Sequence, residues 1–435
     1  MQKPAQSPGP HQISKLPIWA IYLLIAGLAG LLLSFKVPAL NAPDEAYHFQ
    51  RAFSLSELVL LPNETTTLPR AVLEFPAQQK LNAQDRLPHA FYQLNSSPLM
   101  YLPQFLGVSA ARLFTNNISL IFTVGRLSNL FFWLGITSLA IKLIPTLKLS
   151  LAGFLLLPMA LFLAATYSYD SISNSLAILI FALILHHRFN PDSVLKTRDY
   201  LVLGLLFFLI GQTGKTNLLP ALLLVIVPTE RFGTKQKKIL AVLGFLAITW
   251  VSMASWQWIV EQQLGRQMVL HNPHNLDPIV QIKAILAKPW SVISIIWTSI
   301  RMNYLYYFQT LVGVFGRLSQ YLPAWFYWLW ALGFMLLVAG DSLYPNRIGP
   351  WERVLSLLIG IASVAMVFIA LYILYTPLQE AWAWGVQGRY FIPLIPLFIL
   401  AVARQHAPTR LSRSVAYLGF GLLCACLGLN LLHFL

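Results

Sequence analysis

The chain has 435 residues, of which 57% are hydrophobic and only 10% are charged, whereas soluble domains carry about 25% charged residues. So little charge excludes a water-soluble globular protein of this length, and the apolar runs lack the alternation of a membrane β-barrel. The net charge of +15 comes from basic clusters between apolar runs, which the positive-inside effect explains without a nucleic-acid partner. We therefore predict an all-α integral membrane protein.

The first elements along the chain are a polar tail and an apolar helix. Residues 1–17 contain Pro, Gln and Ser and are predicted to be a disordered cytoplasmic tail. The apolar run 18–36 lacks a small-residue cleavage site, so we interpret it as an uncleaved first span and not as a signal peptide. The remaining runs predicted to cross are 118–141, 148–168, 171–188, 199–213, 216–229, 237–260, 322–340, 352–375, 390–404 and 412–434.

Two further apolar stretches, 98–115 and 289–316, are ambiguous, and the basic clusters between runs decide their placement. If neither stretch crosses and the tail is cytoplasmic, every short basic loop falls inside; if both cross, three of these loops fall outside. We therefore predict eleven spans in one inner (plasma) membrane domain, 18–435. The two stretches lie on or dip into the outer leaflet, within extracytoplasmic loops 37–117 and 261–321.

The most informative segment directly follows the first span and reads Pro43-Asp44-Glu45-Ala46-Tyr47-His48-Phe49-Gln50-Arg51. A proline followed by two acids is a good helix start, so one interpretation is a helix cap with two solvated acids. The chain has only 15 acids, however, and two of them are adjacent here, with His48 and Arg51 at helical spacing. A carboxylate held at the lipid–water boundary is a reasonable general base for an acceptor hydroxyl.

A further acid, Asp170, lies between two predicted spans with almost no loop, on the same outer face. An acid in a tight turn commonly caps the next helix, and Asp170 followed by Ser171 fits that interpretation. Acids this deep in a membrane protein are also functional candidates. Two acids on one face could share a substrate or a divalent metal. No third ligand stands at a diagnostic spacing, so no metal-binding residue is assigned.

Three basic residues on the same face are candidates for phosphate binding: Lys215, Arg317 and Arg389. Lys215 follows Gly214 in a stretch that superficially resembles a P-loop, but Leu209 occupies the position of the required first glycine. Arg offers a bidentate fork to phosphate and Lys a point charge, whereas anchoring at the lipid boundary is the alternative for all three. Arg126, in mid-span, is expected to need a polar partner or an aqueous cavity.

Together these segments resemble a bacterial family of polytopic membrane proteins of unknown function that is grouped with the GT-C glycosyltransferase superfamily. The resemblance rests on motif order from about residue 18 to 404. The motifs are Pro43 to Arg51, Ser97-Pro98-Leu99-Met100-Tyr101, Leu157-Pro158 to Asp170, Gly214-Lys215-Thr216-Asn217, Val312 to Gly316 and Gln387-Gly388-Arg389-Tyr390-Phe391-Ile392-Pro393. The order is also similar to that of aminoarabinose transferases and protein O-mannosyltransferases.

The resemblance implies a GT-C-like fold with extracytoplasmic juxtamembrane helices. It also implies transfer of a sugar from a polyprenyl-phosphate donor, in the membrane lipid, to a hydroxyl of a cell-surface glycan, lipid or protein on the extracytoplasmic face. Asp44 would then be the general base, with Glu45 and Asp170 orienting acceptor and donor. The basic candidates named above would hold the phosphate.

The other substrate-binding candidates are His48, Arg51, Tyr101, Gln387 and Tyr390. Where the family usually has Pro-Pro-Leu-Tyr-Tyr, this chain has Ser97 to Tyr101, and the lost proline and tyrosine weaken an acceptor role for that segment. A secondary transporter would be expected to show an inverted repeat, and the sequence has none. A non-catalytic membrane scaffold or a transporter of lipid-linked sugars stays open as the alternative.

Overall fold

The computed structural model describes residues 16–63, 65–88, 96–190, 194–213, 219–264, 278–378 and 380–434. This part of the chain is mostly helical. The longer helices are α1 Ile18–Lys36, α2 Glu45–Ser56, α4 Leu102–Arg112, α5 Ile118–Leu143, α8 Asp170–Phe189, α9 Thr197–Gly211, α10 Lys235–Leu264, α11 Pro278–Ala287, α12 Ser291–Val312, α13 Ala324–Gly340, α14 Pro350–Tyr375 and α16 Arg410–Phe434.

Shorter elements connect these helices. The short α-helices are α3 Arg70–Leu73, α6 Lys148–Leu155, α7 Pro158–Ala164 and α15 Ile395–Val402, and the 3-10 helices are Pro98–Tyr101, Leu219–Ile226, Thr229–Arg231 and Gly388–Leu394. Two antiparallel ribbons pair β1 (Thr67–Pro69) with β2 (Arg86–Pro88) and β3 (Val314–Phe315) with β4 (Gln320–Tyr321). Neither ribbon is large enough to form a separate soluble domain.

Six helices of the described part are long and apolar enough to cross a membrane, namely α1, α5, α8, α10, α14 and α16. The bent pair α11–α12 would make seven if it counted as one span. The predicted multi-span helical protein is thus confirmed. The predicted span 148–168 is broken before Pro158, and the predicted span 390–404 begins as a 3-10 helix containing Pro393. Proline removes a backbone donor and interrupts a helix, which hydropathy alone does not register.

The long helices end at two opposite sides of the bundle. On one side, Arg126 of α5 donates to the carbonyls of Ser34 and Val37, so the first half of α5 lies beside the end of α1. We call this side the Asp44 end. On the other side, Arg188 near the end of α8 pairs with Glu352 at the start of α14, with Nε 2.6 Å from Oε1. We call that side the opposite end.

The two ambiguous stretches both lie at the Asp44 end. The stretch 98–115 forms α4, whose 11 residues rise only about 17 Å, and Gln104 donates to Asn129 of α5 at 2.9 Å. In the stretch 289–316, Ser299 and Thr310 of α12 accept hydrogen bonds from the main chain of Ala383 and Gly388. Helix α4 is too short to cross by itself, whereas the bent pair α11–α12 is long and apolar enough to count as one span, so the placement of 289–316 stays a prediction.

Helices α13 and α16 pack closely through glycines. A Cβ atom at Gly340 would overlap the main chain of Ser412 and Ala416, and one at Gly419 would overlap the main chain of Gly333 and Leu337. Small residues allow this approach between membrane helices, where dispersion forces replace the hydrophobic effect. The packing fixes the relative position of the two helices at the opposite end.

Candidate functional site

An ion cluster centred on Arg389 lies at the Asp44 end. The guanidinium is 4% exposed, with Nη2 3.6 Å from Oδ2 of Asp44 and Nη1 3.4 Å from Oδ2 of Asp170. Nη2 also donates to the Tyr390 hydroxyl at 3.4 Å, and Nε has no hydrogen-bond partner among the described residues. Both ion-pair distances exceed the ~2.7–2.9 Å of a tight charge-assisted bond, so the guanidinium retains unused donor capacity.

Asp44 has a left-handed backbone conformation, with φ 56° and ψ 14°, immediately before α2. Asp tolerates this region because its short polar side chain costs little there. The carboxylate makes no capping hydrogen bond with the described part of α2, and the side chain is 60% exposed. Asp44 thus occupies the N-cap position as a largely solvated acid, but its carboxylate lies beside Arg389 and does not cap α2.

A cleft of about 260 Å³ opens beside Asp44 and Arg389, and Arg317 and Gln387 also line it. Arg317 donates from Nε to the carbonyl of Leu40 at 3.2 Å, and its side chain is otherwise exposed. Within the described residues, Oε1 of Gln387 is buried without a hydrogen-bond partner. The cleft therefore presents one carboxylate and two guanidinium groups to a ligand.

The position of Arg389 depends on a close main-chain approach at Gly388. The Gly388 amide donates to Thr310 Oγ1 of α12 at 2.8 Å. A Cβ atom at Gly388 would overlap the carbonyl oxygen of Tyr307 and the amide of Leu311. Any side chain here would move the segment away from α12, and Arg389 with it.

Glu45 has a different role from the predicted one. Its side chain is fully buried, and its two oxygens each lie 2.8 Å from Arg126, at Nε and Nη2. Oε1 also accepts a hydrogen bond from the main-chain amide of Tyr167 at 3.0 Å. The prediction that Glu45 orients the acceptor is thus corrected, because its carboxylate is occupied by this network. The expectation that Arg126 needs a polar partner is confirmed.

Arg51 also departs from its prediction as a substrate-binding residue. Its guanidinium donates to the main-chain carbonyls of Val59, Leu60 and Ser96, at distances from 2.8 to 3.3 Å. The residue is 1% exposed. Arg51 therefore holds irregular backbone segments together, and it does not line the cleft beside Asp44.

His48 and Tyr101 form a buried pair behind Asp44, with His48 Nδ1 2.8 Å from the Tyr101 hydroxyl. Tyr169, which sequence reasoning missed, packs edge-on against His48 at 5.2 Å between ring centroids. Its only sequence signal was its place next to Asp170. Tyr169 also lines a second cleft of about 200 Å³, together with Gln212 and Trp256. Tyr169 therefore connects this buried pair to the second cleft.

Burial lowers the pKa of His48 from 6.5 to about 4, with Arg389 lowering it further and Asp44 opposing the shift. The unfolded chain takes up a proton at His48 near pH 6.5, whereas the folded chain resists it until about pH 4. The contribution of neutral His48 to the free energy of unfolding is therefore fully present above pH 6.5 and is lost as the pH drops towards 4.

We expect His48→Gln to lose part of this acid sensitivity in melting curves between pH 7 and 4.5. His406→Gln, which changes an exposed histidine, should keep it, and equal pH profiles for both variants would contradict the assignment.

Lys215 lies outside the described residues, so its phosphate-binding role stays a prediction. Within the described ranges, no group of three or more His, Cys, Asp or Glu side chains could hold a metal ion.

A family model described as "Predicted membrane protein (DUF2142)" matches residues 76–398, well over half of the chain. The chain belongs to the DUF2142 family. The DUF2142 match begins after Asp44 and includes Asp170 and Arg389. No curated protein and no solved structure matches significantly. The expected resemblance to a membrane family of unknown function is thereby confirmed, and the grouping of this DUF2142 protein with GT-C enzymes stays a prediction.

Proposed function

We propose that this protein is a GT-C-type glycosyltransferase that moves a sugar from a polyprenyl-phosphate donor to an acceptor hydroxyl. The observation that carries the proposal is the placement of Arg389 between Asp44 and Asp170 beside an open cleft. The three residues come from distant parts of the chain, and each belongs to a segment at the Asp44 end. A base beside a phosphate-binding cation is the combination that this reaction needs.

The proposed reaction assigns one step to each charged group. Asp44 accepts the proton of the acceptor hydroxyl as the oxygen forms a bond to the anomeric carbon. The bond from that carbon to the polyprenyl phosphate breaks, and the phosphate leaves with the bonding electrons. Arg389 and Arg317 stabilise the charge on the leaving phosphate through charge-assisted hydrogen bonds. Asp170 holds Arg389 in position through its ion pair.

The two clefts supply separate places for the two substrates. The cleft beside Asp44 contains both guanidinium groups and suits the phosphate of the donor. The cleft beyond Tyr169 is lined by Ser97, Gln212 and Trp256, which are groups that bind sugars by hydrogen bonding and stacking. We assign this second cleft to a hydroxyl-bearing acceptor.

The proposed topology has eleven crossings, with the Asp44 end on the extracytoplasmic side. The contacts of α4 and α12 at that end support it, as does the basic character of the opposite end, where Arg188, Arg347 and Arg353 lie. The proposed location is the cell inner membrane.

Arg389→Gln tests the donor site directly. The variant removes the buried cation, and we expect it to weaken binding of a polyprenyl-phosphate sugar by about 1.5–3 kcal/mol, because a charge-assisted bond is lost. The measurement is binding of radiolabelled polyprenyl-phosphate sugars to the full chain in nanodiscs, with transfer assayed in parallel. Arg70→Gln is the matched control, since Arg70 pairs with Glu74 and Asp85 at the surface and does not line the cleft.

Equal donor affinity in the wild type and in both variants would contradict a phosphate role for Arg389. Donor binding that depends on Arg389 without any sugar transfer would instead support a carrier of lipid-linked sugars.

A further inference from the structure

Another cleft, which is charged and separate from the two clefts described above, lies at the opposite end of the bundle. Its volume is about 280 Å³, and it lies where α1, α6, α13 and α16 meet. Its lining includes Lys148, Asp341, Tyr344, Arg413 and Tyr417. Because the bundle ends are fixed there by the close packing at Gly340, the cleft is a formed cavity and not a gap between loose loops.

The cleft has more cationic donors than the protein itself uses. Lys148 Nζ donates to the carbonyl of Lys142 at 3.0 Å, which leaves its other hydrogens free. The Arg413 side chain is exposed and forms no hydrogen bond or ion pair with the residues that the structure describes. Tyr417 lies one turn further along the same face of α16 and is 66% exposed. Two cations and a phenol are thus available to a ligand.

The one acid of the cleft lining, Asp341, is already engaged. Its Oδ2 accepts hydrogen bonds from the amide and the hydroxyl of Ser150 at 2.9 and 2.8 Å. Its Oδ1 accepts a hydrogen bond from the amide of Ser342 at 2.8 Å. Asp341 therefore ties the first turn of α6 to the end of α13. Its charge only partly offsets Lys148 and Arg413, and the cleft keeps a net positive charge.

We propose that this cleft binds a phosphate group, and that its source is the head group of an anionic membrane lipid. Exposed apolar side chains on the adjoining helices, Leu24 and Leu28 of α1 and Leu418 of α16, offer a surface for acyl chains. Basic pockets between membrane helices on the cytoplasmic side bind anionic head groups in this way. In the proposed topology, which follows the positive-inside bias, this end lies in the cytoplasmic leaflet. The inference does not depend on the glycosyltransferase proposal.

The test uses the full chain in detergent and measures its affinity for phosphatidylglycerol, phosphatidic acid and phosphatidylcholine. We expect the two anionic lipids to bind more tightly than phosphatidylcholine. The double variant Lys148→Gln/Arg413→Gln should weaken anionic-lipid binding by about 10- to 30-fold, as expected for two cationic contacts. A parallel arm adds inorganic phosphate and glycerol phosphate as competitors.

The matched control is Lys235→Gln/Lys237→Gln, which removes the same charge from exposed positions at the start of α10. It should keep wild-type affinity. Equal losses of anionic-lipid affinity in both double variants, or no loss in either, would contradict a binding site in this cleft. General attraction between the basic surface and the lipid would then explain the binding. Competition by glycerol phosphate would identify a soluble phosphate ester as the source, and its failure to compete would identify the lipid. Unchanged melting temperatures establish that both double variants are folded.

Discussion

Replacing Asp44 by Asn is expected to lower the rate of sugar transfer by about 10²- to 10⁴-fold, because an amide cannot accept the proton of the acceptor hydroxyl. Asn tolerates the left-handed backbone at this position as well as Asp does, so the fold should be unchanged. Donor binding should persist, since the cations of the cleft remain. The measurement is transfer from a polyprenyl-phosphate sugar by membranes that contain equal amounts of each variant.

Two further variants make the result specific. Asp85→Asn removes an acid that pairs with Arg70 at the surface, and it should transfer sugar at the wild-type rate. A wild-type rate for Asp44→Asn would disprove the general-base assignment. If Asp44→Asn is active while Asp170→Asn is not, the site is correct but Asp170 is the base.

Glu45→Gln should lower the free energy of unfolding by about 3–5 kcal/mol, because it leaves the buried charge of Arg126 without its carboxylate. We expect reduced yield and a lower melting temperature, measured on the full chain in detergent. Activity per folded molecule should fall much less than in Asp44→Asn, because the Glu45 carboxylate is fully buried and paired with Arg126.

The double variant Glu45→Gln/Arg126→Gln tests whether the loss comes from the unpaired charge. Its loss of unfolding free energy should be smaller than the sum of the losses in the two single variants, since it removes both charges together. Glu74→Gln, which breaks a partly exposed pair with Arg70, should change stability by less than about 1 kcal/mol. Equal melting temperatures for Glu45→Gln and Glu74→Gln would show that the Glu45 pair contributes little.

The convergence of Asp44, Asp170 and Arg389 could be anticipated because the ends of antiparallel spans meet at one side of a bundle. Charge bias alone assigned the three residues to one face, and the structure joins them by ion pairs. The arrangement of the two carboxylates around Arg389 was not predictable. It depends on the left-handed turn at Asp44 and on the close approach at Gly388, and neither can be read from hydropathy.

The roles of Glu45 and Arg51 could not be predicted by the same reasoning. Asp44 and Glu45 are adjacent, yet the backbone turn directs one carboxylate to the cleft and the other to α5. The only sequence signal for the true role of Glu45 was Arg126, a mid-span arginine that required a partner. Arg51 binds carbonyls of irregular segments, and such partners carry no sequence pattern.

The Glu45–Arg126 network has a consequence for how the chain enters the membrane. Arg126 is the ninth of the 26 residues of α5, and an unpaired arginine within a membrane helix is costly to insert. Arg126 binds Glu45 and the carbonyls of Ser34, Val37 and Pro38, all of which precede it in the chain. Its partners are therefore already synthesised when α5 reaches the bilayer. The amide of Tyr167, which follows later, completes the network and links the start of α2 to the turn between α7 and α8.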